Sequence, residues 1–435
     1  MKTTSSHKLF PRKILTEVLP YLDKSGIILL VGARQTGKTS IMYLMMETLQ
    51  EKGIDENNIQ YFDLEDLTML DVFNGGVKEF TAYLKASGVD VDAENYIFVD
   101  EIQYMENPAN FLKLIADRQK NLKMIVSGSS TLEIRRKFSD SLAGRKTVFE
   151  LYPLDFSETL LFKGEDKLLD ALTKSDMRHM DRDGPVSDLP ARFFMDDLAR
   201  HFNEYLIYGG YPGAVLEADY AAKAVYLTDI YNSYVKKDIK DIMRIDNITG
   251  FNSLLKALAL QTGNLVNLNE LSTTVKIARN TLERYLFLLE NTFIIKMVSP
   301  YSKNPRKEIS KMQKVFFIDT GLRNIILRNT AHPDDRPDIG ALAENGVFSN
   351  IIKNTSVLQE IHFWRTISKN EVDFIITEGN DVTPVEVKFS SFNRPAIPSG
   401  IREFLKDHPA KHSFVLTKDY FEKNDNTIFI PACLS

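Results

Sequence analysis

Ile27-Ile28-Leu29-Leu30-Val31-Gly32-Ala33-Arg34-Gln35-Thr36-Gly37-Lys38-Thr39 decides the reading of the N-terminal third of this 435-residue chain. A short apolar run, bounded by glycine, has the signature of a buried parallel strand. It is followed at once by the pattern G-x-x-x-x-G-K-[ST], and then by Ser40 and the helical stripe Met42, Leu44, Met45 and Leu49. Average residue usage produces this pattern by chance in a chain of such length about one time in a hundred, and the strand–loop–helix setting makes chance rarer still. Glycines let consecutive backbone amides curl around phosphate, and the helix N-terminus adds its positive end. Gly32, Ala33, Arg34, Gln35, Thr36, Gly37, Lys38, Thr39 and Ser40 are therefore the expected cradle for ATP. Lys38 reaches the β- and γ-phosphates, and Thr39 is a ligand for Mg²⁺.

Working outward, short apolar runs at 26–31, 59–64, 96–99, 123–127 and 147–151 predict five strands alternating with helices, an α/β domain with a parallel sheet. The third run ends in Val99-Asp100-Glu101. Asp100 is the expected second metal ligand and Glu101 the acid that polarises the attacking water. Ser127 and Ser129, after the fourth run, are candidates for sensing the γ-phosphate, with helix capping as the competing role. Arg145 precedes the fifth run. Stabilising transition-state charge, in its own site or a neighbouring copy's, is set against an ordinary salt bridge.

Composition bounds the rest. At 43% hydrophobic and 26% charged the chain is globular, and its length calls for several domains. No apolar run is long enough to span a bilayer, and the N-terminus is polar, so no membrane is expected. One cysteine, Cys433, excludes an internal disulfide and fits a reducing cytoplasm. A net charge of −5 gives no protein-wide attraction for nucleic acid, so any DNA contact must be local. From Pro153 the pattern turns helical. The charged stretch 165–192, with Asp181-Arg182-Asp183-Gly184-Pro185, reads as a surface insertion or mobile loop.

Two amphipathic helices follow, from Leu268 and from Arg279, and then an apolar run at 293–298, the outline of a winged helix–turn–helix. Arg279, Asn280 and Arg284 would face a groove or phosphates. Lys303, Arg306, Lys307, Lys311 and Lys314 read as one basic patch. A solvated loop and a protein-binding module account for the same residues.

Further on, Glu344 lies on a helix, Asp373 on a strand, and Glu386-Val387-Lys388 on the next. Strand alternation puts Glu386 and Lys388 on one face. Glu344, Asp373 and Glu386 would hold Mg²⁺ while Asp373, Glu386 and Lys388 serve phosphodiester cleavage. The competing role is solvated or vestigial carboxylates.

Together with Gly128-Ser129-Ser130, Leu142-Ala143-Gly144-Arg145, Gly209-Gly210-Tyr211-Pro212, Phe317-Ile318-Asp319-Thr320-Gly321-Leu322, Glu344-Asn345 and Glu371-Val372-Asp373-Phe374, these segments resemble prokaryotic AAA-type ATPases fused to a C-terminal restriction-endonuclease-like domain. The resemblance implies a P-loop core at 1–153, a helical lid at 154–244, a winged helix at 245–312 and a nuclease-like α/β domain of the PD-(D/E)xK kind at 313–435. It also implies ATP and Mg²⁺ as cofactors, with DNA, a protein partner or a second copy of the chain as candidate partners.

Overall fold

The computed structural model describes residues 8–128, 142, 144–234, 247–302 and 312–435. The chain divides into two compact units, Met1–Tyr152 and Pro153–Ser435, one residue from the first expected boundary. The divisions expected at 244/245 and 312/313 both fall inside the second unit. Among the described residues, no helix is long and apolar enough to cross a membrane.

The first unit is a five-stranded sheet in the order β2-β3-β4-β1-β5. The strands are β1 (Ile27–Val31), β2 (Ile59–Asp63), β3 (Asn95–Asp100), β4 (Leu122–Gly128) and β5 (Lys146–Glu150), and every pairing is parallel. All five residues of β1 are buried, as both faces of a parallel strand must be when helices cover them. Among the described residues, four helices are interleaved: α2 (Lys38–Glu51), α3 (Leu67–Asn74), α4 (Val77–Ala86) and α5 (Pro108–Arg118); the short α1 (Ile14–Val18) precedes them. Met42, Met45 and Leu49 of α2 are fully buried against Ile28, Leu30 and Phe98, so the methionines are core.

The second unit begins with helices α6 (Phe156–Lys163), α7 (Asp166–Ser175), α8 (Met195–Tyr208), α9 (Pro212–Leu216) and α10 (Tyr220–Ser233). The stretch 165–192 is not a loose insertion. Leu168, Ala171 and Leu172 recur at helical spacing and are buried on α7; Met177, Met180, Val186 and Ala191 are buried beyond it. The Met177 amide donates to the Leu434 carbonyl at 2.9 Å, while charged residues such as Asp170, Lys174, Asp181 and Asp183 stay at the surface. Charge hid this apolar spacing from a compositional reading.

Helices α11 (Ile248–Leu260), α12 (Leu268–Val275) and α13 (Arg279–Asn291) lead into β6 (Ile295–Val298), which pairs antiparallel with β7 (Lys314–Phe317). After α14 (Thr320–Leu327) and α15 (Ile339–Ile352) comes a six-stranded mixed sheet, order β12-β13-β11-β10-β9-β8. Its strands are β8 (Gln359–Arg365), β9 (Glu371–Glu378), β10 (Asp381–Lys388), β11 (Ser413–Thr417), β12 (Glu422–Asn424) and β13 (Thr427–Pro431), with α16 (Ser399–Asp407) packed on it.

One buried carboxylate ties the unit's early and late segments. Asp319 caps α14 by accepting from the Leu322 amide (3.0 Å), and its other oxygen accepts from the Gly210 amide (2.7 Å). A side chain at Gly209 would strike that carboxylate, and one at Gly321 would strike the Tyr208 carbonyl, so both close approaches require glycine.

Candidate functional site: a phosphate-binding loop and a carboxylate–lysine cluster

The Gly32–Thr39 loop leaves the C-terminal end of β1 and enters α2, where Lys38 is the first helical residue. Gln35 (φ 61°) and Gly37 (φ 97°) both take left-handed backbone conformations, which curl the loop. Gly32 has no room for a side chain, since a Cβ would lie 2.2 Å from the Leu151 carbonyl oxygen. The buried Lys38 ammonium donates to the carbonyls of Gly32 (3.1 Å) and Ala33 (2.9 Å), and Thr36 closes the turn onto the Ala33 carbonyl (2.9 Å). Arg34 and Ser40, the remaining expected cradle residues, lie in the loop and in the first turn of α2.

Beside the loop, β3 delivers Asp100, 3% exposed. Its Oδ2 accepts from the Thr39 hydroxyl at 2.5 Å and from the Tyr61 phenol at 3.1 Å; its Oδ1 accepts from the Ser127 hydroxyl. Burial and the Asp100 charge raise the Tyr61 pKa, so this phenol stays a donor. Glu101 follows in a left-handed conformation (φ 56°), unusual for a residue with a side chain and a form of strain that concentrates at functional sites. Its amide donates to Ser127 Oγ at 3.2 Å, and its carboxylate accepts from the Gln103 amide.

Sequence reasoning thus finds Lys38, Thr39, Asp100, Glu101 and Ser127 at one edge of the sheet. It misses Tyr61 and Arg12. Arg12 is 8% exposed and braces the loop, donating to the Thr36 carbonyl (2.9 Å) and the Tyr152 carbonyl (3.0 Å). No motif marks either residue. Ser129 lies outside the described residues.

Arg145 lies away from this edge. It precedes β5 at the opposite end of the sheet, where its carbonyl accepts from the Ile27 amide at 2.8 Å, the start of β1. A five-residue strand then separates it by roughly 15 Å from the loop of its own chain. Its guanidinium pairs with Asp117 at 2.8 Å, the salt bridge that competed with the finger role.

In the second unit, antiparallel pairing of β9 with β10 sets Phe374 opposite Val385. Asp373 and Glu386 are thereby neighbours, and strand alternation puts Lys388 on the face of Glu386. The Asp373 amide donates to Glu386 Oε2 (3.3 Å), the Val387 amide to Asp373 Oδ2 (2.8 Å), and the Lys388 ammonium to Glu386 Oε1 (2.5 Å). Glu344 arrives from α15. The expected four residues do converge.

A lysine intervenes in the expected metal set, however. Among the described residues, no group of three or more His, Cys, Asp or Glu is disposed to hold a metal ion. Lys314 stands between the carboxylates instead, with Nζ at 2.5 Å from Glu371, 3.2 Å from Glu344 and 4.0 Å from Asp373. Read in sequence as the last member of a basic patch, Lys314 is the first residue of β7 and is 2% exposed. The other patch residues, Lys303, Arg306, Lys307 and Lys311, lie outside the described residues. Burial, and then the Asp373 charge, push Glu344 up to about 8 and Glu386 up to about 7. The three facing carboxylates hold Lys314 above its ordinary value in spite of its burial.

On α13, Arg279, Asn280 and Arg284 are exposed; Arg279 bonds Glu283 (2.9 Å) and Asn269 (3.0 Å).

Residues 24–160 match the family model of an AAA domain, and the first unit accordingly carries a P-loop ATPase domain. Residues 199–332 and 339–434 match two domains of unknown function, DUF8612 and DUF4143. The chain is similar to an uncharacterised protein of Haemophilus influenzae, 25% identical over 94% of either chain. It is also similar to one of Methanocaldococcus jannaschii, 23% identical over 92% of this chain and 82% of that one. Among solved structures it is similar to a Walker-type ATPase of Pyrococcus abyssi, 14% identical with a TM-score of 0.45, covering 73% of this chain and 96% of the other.

Proposed function

We propose that this chain is a Mg²⁺-dependent ATPase whose nucleotide cycle acts on nucleic acid held by its C-terminal unit. The observation that carries the reading is the meeting of Lys38, Thr39, Asp100 and Glu101 at one edge of the parallel sheet. The residues suit the implied groups: the curled backbone and buried ammonium fit a polyphosphate, and the Thr39 hydroxyl and Asp100 carboxylate are adjacent hard-oxygen donors of the kind Mg²⁺ prefers. When bound, the metal would neutralise phosphate charge. Lys38 orients the β- and γ-phosphates. Glu101 holds a water by its proton for in-line attack on the γ-phosphorus, with ADP leaving, and must first release the Gln103 amide. The one site open to Arg145 as a finger is the phosphate of a neighbouring copy.

The nucleic-acid part is supported by the order α11–α13, β6, β7, which suits a winged helix, and by the exposed Arg279, Asn280 and Arg284 on α13. The adjacency of Asp373, Glu386 and Lys388 supports a nuclease-like origin for the final sheet. A second reading, a signalling or scaffold ATPase whose C-terminal half is not catalytic, is favoured by one observation, the ammonium of Lys314 among the carboxylates.

Lys38→Ala should abolish ATP hydrolysis, and undiminished turnover in that variant sinks the ATPase. Binding of duplex and branched DNA should weaken steeply with salt. Salt-insensitive capture of a protein with no DNA affinity would move the second reading to first place.

A further inference from the structure

The carboxylate cluster has an anatomy that its residues, taken singly, do not announce. Glu344, Glu371 and Asp373 come from α15 and β9, and the cation they enclose comes from β7, a strand of a different sheet. The Lys314 ammonium is at 3.2, 2.5 and 4.0 Å from their respective oxygens and almost wholly out of solvent. A divalent ion using those same oxygens would need them at about 2.0–2.6 Å. An ammonium and a dication only a few ångströms apart, away from water, repel strongly. The two occupants exclude each other.

The surroundings hold the lysine in place. Asn345, next to Glu344, donates to the Phe317 carbonyl (2.9 Å) and accepts from the Phe317 amide (2.8 Å), which ties β7 to α15. Gly263 packs so closely over Glu344 that a side chain there would come within 2.9 Å of its carboxylate oxygen. The Lys314 ammonium also lies 5.5 Å from the centre of the Phe363 ring. A second cation, Arg365, reaches Glu371 at 3.4 Å, and Lys388 serves Glu386.

We propose that Lys314 is the resident cation of this centre, supplied by the chain itself in the position where a nuclease would hold a divalent metal. The centre therefore takes up neither Mg²⁺ nor Mn²⁺ while the Lys314 charge is present. Removing that charge leaves Glu344, Glu371 and Asp373 as a latent divalent-cation site made of hard oxygens. Nothing in this requires the chain to hydrolyse ATP, so the two readings fail separately.

The test is a Mn²⁺ titration of the full-length, nucleotide-free protein, followed by electron paramagnetic resonance of the free ion. Wild type and Asp373→Asn should give the same isotherm, and Lys314→Met should gain one site that disappears again in Lys314→Met/Asp373→Asn. A wild-type site lost in Asp373→Asn overturns the proposal, as does a folded Lys314→Met protein with no added site. Should Lys314→Met fail to fold, the wild-type and Asp373→Asn isotherms decide alone: coincidence upholds the proposal, and a difference ends it.

Discussion

The Thr39 hydroxyl donates to Asp100 Oδ2 at 2.5 Å, joining the first turn of α2 to the end of β3. On the reading proposed above, both residues serve one cation and should not act independently. Thr39→Ala and Asp100→Asn are each expected to lower kcat for ATP by about a hundredfold or more. The double variant should be little worse than the weaker single one, because either change already dismantles the shared ligand set. Steady-state turnover at saturating Mg²⁺ and ATP reads this; multiplicative losses would mean separate roles.

Arg12 holds the loop from outside by two bonds to carbonyls, at Thr36 and Tyr152. Hydrogen bonds from a charged donor contribute about 1.5–3 kcal/mol each in favourable settings. Arg12→Ala should therefore weaken ATP binding by roughly tenfold, on the premise that about half of one such bond reaches the nucleotide. Calorimetric titration of ATP would check it, and unchanged affinity would make the brace incidental.

Because Arg145 lies at the far end of its own sheet, Arg145→Ala should leave the turnover of dilute, unassociated chains intact. Where a loss appears at concentrations that favour association, adding Lys38→Ala chains should restore activity, since these carry an intact Arg145. A loss at dilution that no mixing repairs would contradict the geometry.

Asp319 supports both an α14 cap and the buried Gly210 amide. Asp319→Ala removes a cap worth about 0.5–2 kcal/mol and leaves a buried donor unsatisfied at a further 1–3 kcal/mol or so. Urea unfolding followed by circular dichroism should show the second unit destabilised by about 2–4 kcal/mol, the middle of that combined range. A change below about 0.5 kcal/mol, the scale of an ordinary surface substitution, would show that water replaces both bonds.

Asp338 accepts from Arg336 (2.8 and 2.9 Å) and from the buried Arg323 (2.6 Å), which hold its pKa well below the usual 3.8. A depressed carboxylate stabilises the fold above its unfolded pKa, and that contribution is lost as pH falls toward the folded one. Asp338→Asn should thus be less stable than wild type at neutral pH, with the gap narrowing below about pH 4. Melting temperatures of both proteins across that range test the sign; a gap that widens in acid would reverse it.

Local signals carried far in this chain. The loop at 32–39, the five strands of the first sheet and the acids that end β3 all follow from apolar runs and from motifs only a few residues long. Even the meeting of Asp373, Glu386 and Lys388 followed, because alternation along neighbouring strands is a local rule. What escaped depends on contacts between distant segments. Arg12 lies 140 residues from the carbonyl of Tyr152 that it holds, and nothing in Pro11-Arg12-Lys13 announces that bond. Lys314 escaped for a narrower reason. The apolar run Val315-Phe316-Phe317-Ile318 reads in sequence as a strand that starts at Val315, whereas β7 begins one residue earlier, and all four of its residues are buried. That single step moves a lysine from a charged run into the interior, where Glu371, Glu344 and Asp373, from other elements, make its burial tolerable.

That lysine also sets a limit on how the molecule can be divided. The match to DUF4143 begins at residue 339, after β7 has ended. A fragment cut at that border would keep Glu344, Glu371, Asp373 and Glu386 but forfeit the ammonium they enclose, retaining Lys388 and Arg365 at the periphery. The module that recurs among sequences is thus smaller than the one that is electrically complete, and studies of the C-terminal region in isolation would be describing a more acidic object than the one this chain contains.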